Sequence, residues 1–152
     1  MKIILSIDDS PHSQAALEWV RNMRWPDGSQ LVVLSAVELL AYAMVEPGGL
    51  EFYDNLLTDQ MRVHEEVVAG AARDLKQAGL SVTSRVAQGD PRMVILETAQ
   101  QEHADLIVVG SHGRTGLPKL IMGSVASHVV THAHCNVLVV KQPRARTDDA
   151  AR

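Results

Sequence analysis

A short β-branched apolar run, Ala104 to Val109, leads straight into glycines at 110, 113 and 123, with Ser124 after the last. The spacing is G-x2-G-x9-G-S, and it constrains the fold more than any other part of the chain. The run before it reads as a buried strand, and the Ser-Val-Ala-Ser-His-Val-Val-Thr-His-Ala that follows reads as a helix. A strand that passes through glycines into a helix start presents bare backbone N–H groups. The helix dipole reinforces their pull on an anion, and no side chain blocks close approach. These residues therefore point to a phosphate-bearing ligand. Other phosphate loops are excluded, because the chain has no G-x-x-x-x-G-K-[ST] and no G-x-G-x-x-G.

Strand and helix patterns alternate along the rest of the chain. Ile3 to Ile7 reads as a buried strand, followed by a helix with Ser10 as N-cap and Pro11 at its first position. Ala16, Val20 and Met23 fall on one face of that helix, and Trp25-Pro26-Asp27-Gly28 is a turn. Leu31 to Val37 is a second continuous apolar strand. Residues 38–53 have no clear pattern; they hold the turn Glu46-Pro47-Gly48-Gly49 and three of the five aromatics, Tyr42, Phe52 and Tyr53.

A long helix is predicted from about Asp54 to Ala78, with Leu57, Met61, His64, Val68, Ala72 and Leu75 on a single stripe and Gly79 as its stop. Leu80 to Ala87 alternates as an edge strand does. Asp90 caps a third helix buried through Val94, Ile95 and Ala99, and a last strand runs from Val137 to Val140. Five strands, most of them apolar on both faces, imply an α/β fold with a parallel sheet covered by helices on two sides. With strand order 3-2-1-4-5, Asp8 at the end of the first strand and Gly110 at the end of the fourth face one crevice, at the point where the order reverses.

At 152 residues the chain is most simply one domain, residues 1–142, with a polar tail at 143–152. The net charge is −4, no basic block occurs and aromatics make up 3%, so neither a cationic track nor a stacking platform for nucleic acid is present. A single cysteine, Cys135, fits a reducing cytoplasm. No apolar run reaches membrane-spanning length.

With these residues in place the chain resembles a universal stress protein domain of the nucleotide-binding kind. The resemblance runs from Ile3 to Lys141 and is carried by Ile7-Asp8-Asp9-Ser10, by the full glycine segment and by Val137-Leu-Val-Val140. It implies ATP as ligand, a homodimer joined along the last strand at residues 136–141, and a role in stress adaptation. It also implies backbone contact with adenine at Ile7 and Ala36, and Asp8 near the ribose and any phosphate-bound magnesium ion. Gly110 and Gly113 would follow the ribose and phosphates, while Gly123, Ser124 and Val125 would donate to phosphate oxygens. Arg114 and Lys119 are candidates for screening the outer phosphates. Two departures stand out: His134-Cys135-Asn136 where the family commonly has a proline before the last strand, and Ala126 where relatives often carry a hydroxyl.

Several residues carry a second reading. Asp8 also suits the dipole of the helix that follows it. His128 and His132, four apart on a helix, have metal-ligand spacing but also lie at the margin of the stripe made by Val125, Ala126, Val129, Val130 and Ala133. Cys135 reads as inert and half-buried, and His112 lies inside the phosphate loop. Three functions follow: a non-catalytic nucleotide-binding regulator, a slow ATPase using Asp8 and a divalent metal, or an interaction module without ligand. The intact glycine segment favours the first. No clear water-orienting group supports the second.

Overall fold

Short runs of Val, Ile and Leu build the centre of the molecule. The computed structural model describes residues 1–38, 49–113 and 122–142, the side chains of 49–52 excepted. Five strands, β1 (Lys2–Ser6), β2 (Gln30–Val37), β3 (Ser81–Gln88), β4 (Leu106–Gly110) and β5 (Asn136–Val140), alternate with helices α1 (Pro11–Asn22), α2 (Gly49–Gln77), α3 (Pro91–Gln101) and α4 (Ser124–His132). All strand pairs are parallel and the sheet order is β3-β2-β1-β4-β5, as the sequence predicts.

Each central strand alternates its side chains between two cores. Ile3, Leu5, Leu31, Val33 and Val108 pack against α1 and α2, through Ala16, Leu17, Val20, Val68, Ala72 and Leu75. Ile4, Val32, Leu34, Ile107 and Val109 pack against α3 and α4, through Val94, Ile95, Ala99, Ala126 and Val129. This double burial explains why these strands are apolar without a break. The chain's edge strand β3 buries Val82 but exposes Ser81, Thr83, Ser84 and Arg85.

The caps follow the sequence. Ser10 caps α1 by accepting from the Ser13 N–H, and Asp90 caps α3 by accepting from the Arg92 N–H. Gly79 ends α2 at φ +86°, a left-handed conformation that favours glycine. Two expectations need correction. α2 begins at Gly49 rather than near Asp54, because a helix that starts on a Gly-Gly pair carries no capping signal a reader can use. Met23 is 42% exposed and lies past the end of α1, so it does not extend that helix's buried face. The tail at 143–152 and residues 39–48 lie outside the described residues. Among those described, no helix is long and apolar enough to cross a membrane.

Candidate functional site

The carboxyl ends of β1, β2 and β4 and the start of α4 enclose a cavity of about 390 Å³. Ile7, Asp8, Ala36, Gly110, Gly113, Gly123, Ser124 and Val125 all line it, so the structure brings these sequence-predicted residues to one place. Arg114 and Lys119 lie outside the described residues.

One end of the cavity is made of glycine backbone. Gly110 lies so close to α1 that a Cβ there would be 2.8 Å from the carbonyl carbon of His12. A Cβ on Gly113 would stand 3.0 Å from the Asp8 Oδ2, and one on Gly123 3.2 Å from the His112 Cα. The Gly123 N–H donates to the Ser111 carbonyl at 2.7 Å, which draws the start of α4 back against the end of β4. Gly123 is the N-cap of α4 and, unlike Ser10 and Asp90, supplies no side-chain cap. Among the described residues no N-cap side chain satisfies the first-turn N–H groups of α4, and the exposed Ser124 stands beside them at the cavity.

Asp8 is fixed across from this loop. Its Oδ1 accepts from the Ser10 N–H at 3.0 Å and from the Ser13 hydroxyl at 2.5 Å, and its own N–H donates to Ser13 Oγ at 3.0 Å. Asp8 therefore fastens the start of α1, as its second reading held, while Oδ2 is the oxygen on the Gly113 side. Beside the loop, the buried Ser111 hydroxyl lies 3.3 Å from His12 Nδ1 and 3.2 Å from His112 Nδ1.

The other end is made of strand edge. The Ile7 N–H donates to the Leu34 carbonyl at 2.9 Å, the last bond of the β1–β2 ladder. Backbone groups alternate sides along a strand, so Leu34 faces β1, Ser35 faces β3 and Ala36 again faces the β1 side. The Gly89 N–H donating to the Val37 carbonyl at 2.9 Å, on the β3 side, fits that alternation. β1 ends at Ser6 and Ala36 lines the cavity, so among the described residues no neighbouring strand pairs with the Ala36 N–H and C=O on that side. At Ile7 the N–H is taken by Leu34 and the carbonyl accepts from the Ser35 hydroxyl at 2.7 Å, which leaves only that carbonyl's second lone pair. Ala36 is consequently the residue whose backbone offers both a donor and an acceptor here.

Sequence reading missed Gln60, His64, Glu38 and Pro91 as cavity residues. His64 was visible only as the single polar member of the α2 stripe; it is 3% exposed and its Nδ1 lies 2.8 Å from Ser35 Oγ. His128 and His132 stack at 4.1 Å with the His132 Nδ1 against the His128 carbonyl, away from the cavity lining. Among the described residues, no three His, Cys, Asp or Glu side chains gather as a metal site. Cys135 is half-buried, and that burial pushes its thiol pKa up, with the Asp105 charge adding to the effect.

The profile of the universal stress protein family matches residues 1–141. The chain belongs to this family. Universal stress protein MJ0531 of Methanocaldococcus jannaschii is 30% identical over 144 residues, covering 94% of this chain and 83% of that one. Among solved structures, universal stress protein UspA of Lactobacillus plantarum superposes with a TM-score of 0.82 at 26% identity, over 92% of this chain and 97% of that one. A universal stress protein family member from Arabidopsis thaliana, solved with AMP bound, has a TM-score of 0.66 at 17% identity, covering 99% of this chain and 97% of that one. At that identity the likeness to the Arabidopsis protein concerns the fold.

Proposed function

We propose that this universal stress protein binds an adenine nucleotide, ATP foremost, in the cavity at the carboxyl ends of β1, β2 and β4, and acts as a dimeric regulator rather than as an enzyme. One observation carries the reading: a single cavity joins an open strand edge at Ala36 to the start of α4, which has no side-chain cap, and to the backbone of Gly110, Gly113 and Gly123. The Ala36 N–H beside its C=O matches the N1 acceptor and exocyclic amine of adenine, and the helix start suits phosphate. That a member of the same fold holds AMP supports this choice of base.

In this reading Gly110 and Gly113 follow the ribose and first phosphate, and Ser124 and Val125 donate to the outer ones, while Gly123, whose N–H is held by the Ser111 carbonyl, sets the start of α4 beside them. Magnesium is commonly held by one or two carboxylates together with phosphate oxygens, which suits Asp8. Asp8 would hold such an ion through Oδ2, its Oδ1 being committed to Ser10 and Ser13. The partly exposed Val137, Leu138 and Val139 on the outer strand β5 support a dimer joined across 136–141; sedimentation as a monomer at micromolar concentration would refute that part.

The test of the site is a melting experiment. ATP with magnesium raises the melting temperature of the wild type. Gly123→Val, whose side chain meets His112 and Ser111, keeps the fold and loses that rise. An unchanged rise in the variant would refute the assignment of the phosphate end.

A further inference from the structure

We infer that Ser35 and His64 are positioning residues that end the β1–β2 ladder one hydrogen bond early and so keep the Ala36 edge open for the base. The inference rests on the reading that a purine base sits at this edge.

In a parallel ladder a residue that donates to residue j of its neighbour accepts from residue j+2. Ile7 donates to Leu34, so its carbonyl is the natural partner of the Ala36 N–H. Among the described residues that bond does not form. The Ile7 carbonyl accepts from the Ser35 hydroxyl at 2.7 Å instead, and β1 stops at Ser6. Ser35 sits inside the apolar run Leu31–Val37 and is fully buried, at 0% exposure. Its side chain lies on the α2 face of the sheet, where its oxygen meets His64 Nδ1 at 2.8 Å.

The direction of this chain of bonds follows from counting protons. A carbonyl only accepts, so the single Ser35 proton goes to Ile7, and His64 Nδ1 must carry a proton that it donates to Ser35 Oγ. His64 thus holds the hydroxyl turned toward Ile7, and the hydroxyl satisfies that carbonyl from the α2 face in place of the Ala36 N–H. A polar pair in an apolar core costs stability unless its groups are satisfied. Here they are satisfied in a way that leaves a neighbouring backbone edge facing the cavity. A buried pair serving the core alone has no reason to meet the one carbonyl that would otherwise close that edge.

Ser35→Ala removes the competitor for the Ile7 carbonyl, and alanine fits the buried space. The Ala36 amide of the ligand-free variant then exchanges with solvent deuterium more slowly than in wild type, because the ladder closes by one bond. Its affinity for adenosine and for ATP falls by roughly the same factor, about tenfold, while tripolyphosphate binding holds. Ser35→Thr keeps the hydroxyl and keeps wild-type behaviour. His64→Asn, which retains a donor near the Nδ1 position, stays closer to wild type than His64→Leu does. A role confined to stability would lower the melting temperature without slowing Ala36 exchange or separating adenosine from tripolyphosphate. Unchanged Ala36 exchange in Ser35→Ala, or unchanged adenosine affinity, overturns the inference. Wild-type protein that binds neither adenosine nor ATP refutes the nucleotide reading and the base-edge role with it; wild-type binding combined with unaltered Ser35→Ala refutes the relay alone.

Discussion

The two ends of the cavity expose backbone by opposite means. At the β4 end side chains are deleted: Gly110, Gly113 and Gly123 allow approaches that a Cβ would block, and a helix begins without a capping side chain. At Ala36 a partner is withdrawn: β1 stops, and a serine occupies the carbonyl that would have continued the ladder. The first device depends on residues that are absent in bulk, and the second on one polar group placed in a core. Substitutions at the glycine end therefore act by collision and have large effects. Those at the strand end act by closing a gap, which can leave stability intact while function is lost.

Gly110→Val is the largest expected effect and separates fold from site at the glycine end. Its Cβ would meet His12 backbone, which has no rotamer to escape into, so α1 must move away from β4. Overpacking of this kind costs about 1–3 kcal/mol. The expected outcome is a lower denaturation midpoint in urea, even without ligand. A midpoint equal to that of wild type would show that the close approach of α1 to β4 does not constrain this end.

Asp8→Asn has a smaller effect and sharpens the comparison, because Asp8 touches both the α1 start and the glycine side. Asparagine keeps an oxygen for the Ser10 N–H and Ser13 contacts and removes the charge. ATP with magnesium should bind more weakly to this variant, while AMP without metal should bind as it does to wild type, both read by calorimetry. Equal losses for the two ligands would make Asp8 a fastening of α1 alone.

The smallest effect is a control remote from either end. Burial raises the Cys135 thiol pKa, so the reactive thiolate is scarcer at a given pH than for an ordinary cysteine, and the deficit persists until pH passes the raised value. Alkylation by iodoacetamide at pH 8 should run slower than for a free cysteine and should not change when ATP is added. Protection by ATP would mean that ligand binding reaches the β4–β5 side of the sheet.

The glycine end was legible in the sequence because its chemistry is local: a β-branched run, three glycines and Ser124 lie within one continuous stretch. The caps at Ser10 and Asp90 and the stop at Gly79 were legible for the same reason. The open edge at Ala36 was not, since it depends on where β1 ends relative to β2, and register is set by packing across the sheet. Ser35 reads as a tolerated polar residue in an apolar strand, and His64 as a member of the α2 stripe. Neither shows its role until α2 is laid on the sheet. Ile7 illustrates the same limit: the family resemblance marks its position, but both of its backbone groups are already bonded within the protein. The strand order came through the alternating pattern and the family resemblance together, and the register in the structure bears it out.

The most direct test of a cavity with a base end and a phosphate end is calorimetric titration of one wild-type preparation with adenosine, tripolyphosphate and ATP in turn. All three should give heat, with ATP binding more tightly than either half and displacing both. Adenosine without heat, together with ATP binding no more tightly than tripolyphosphate, would contradict it.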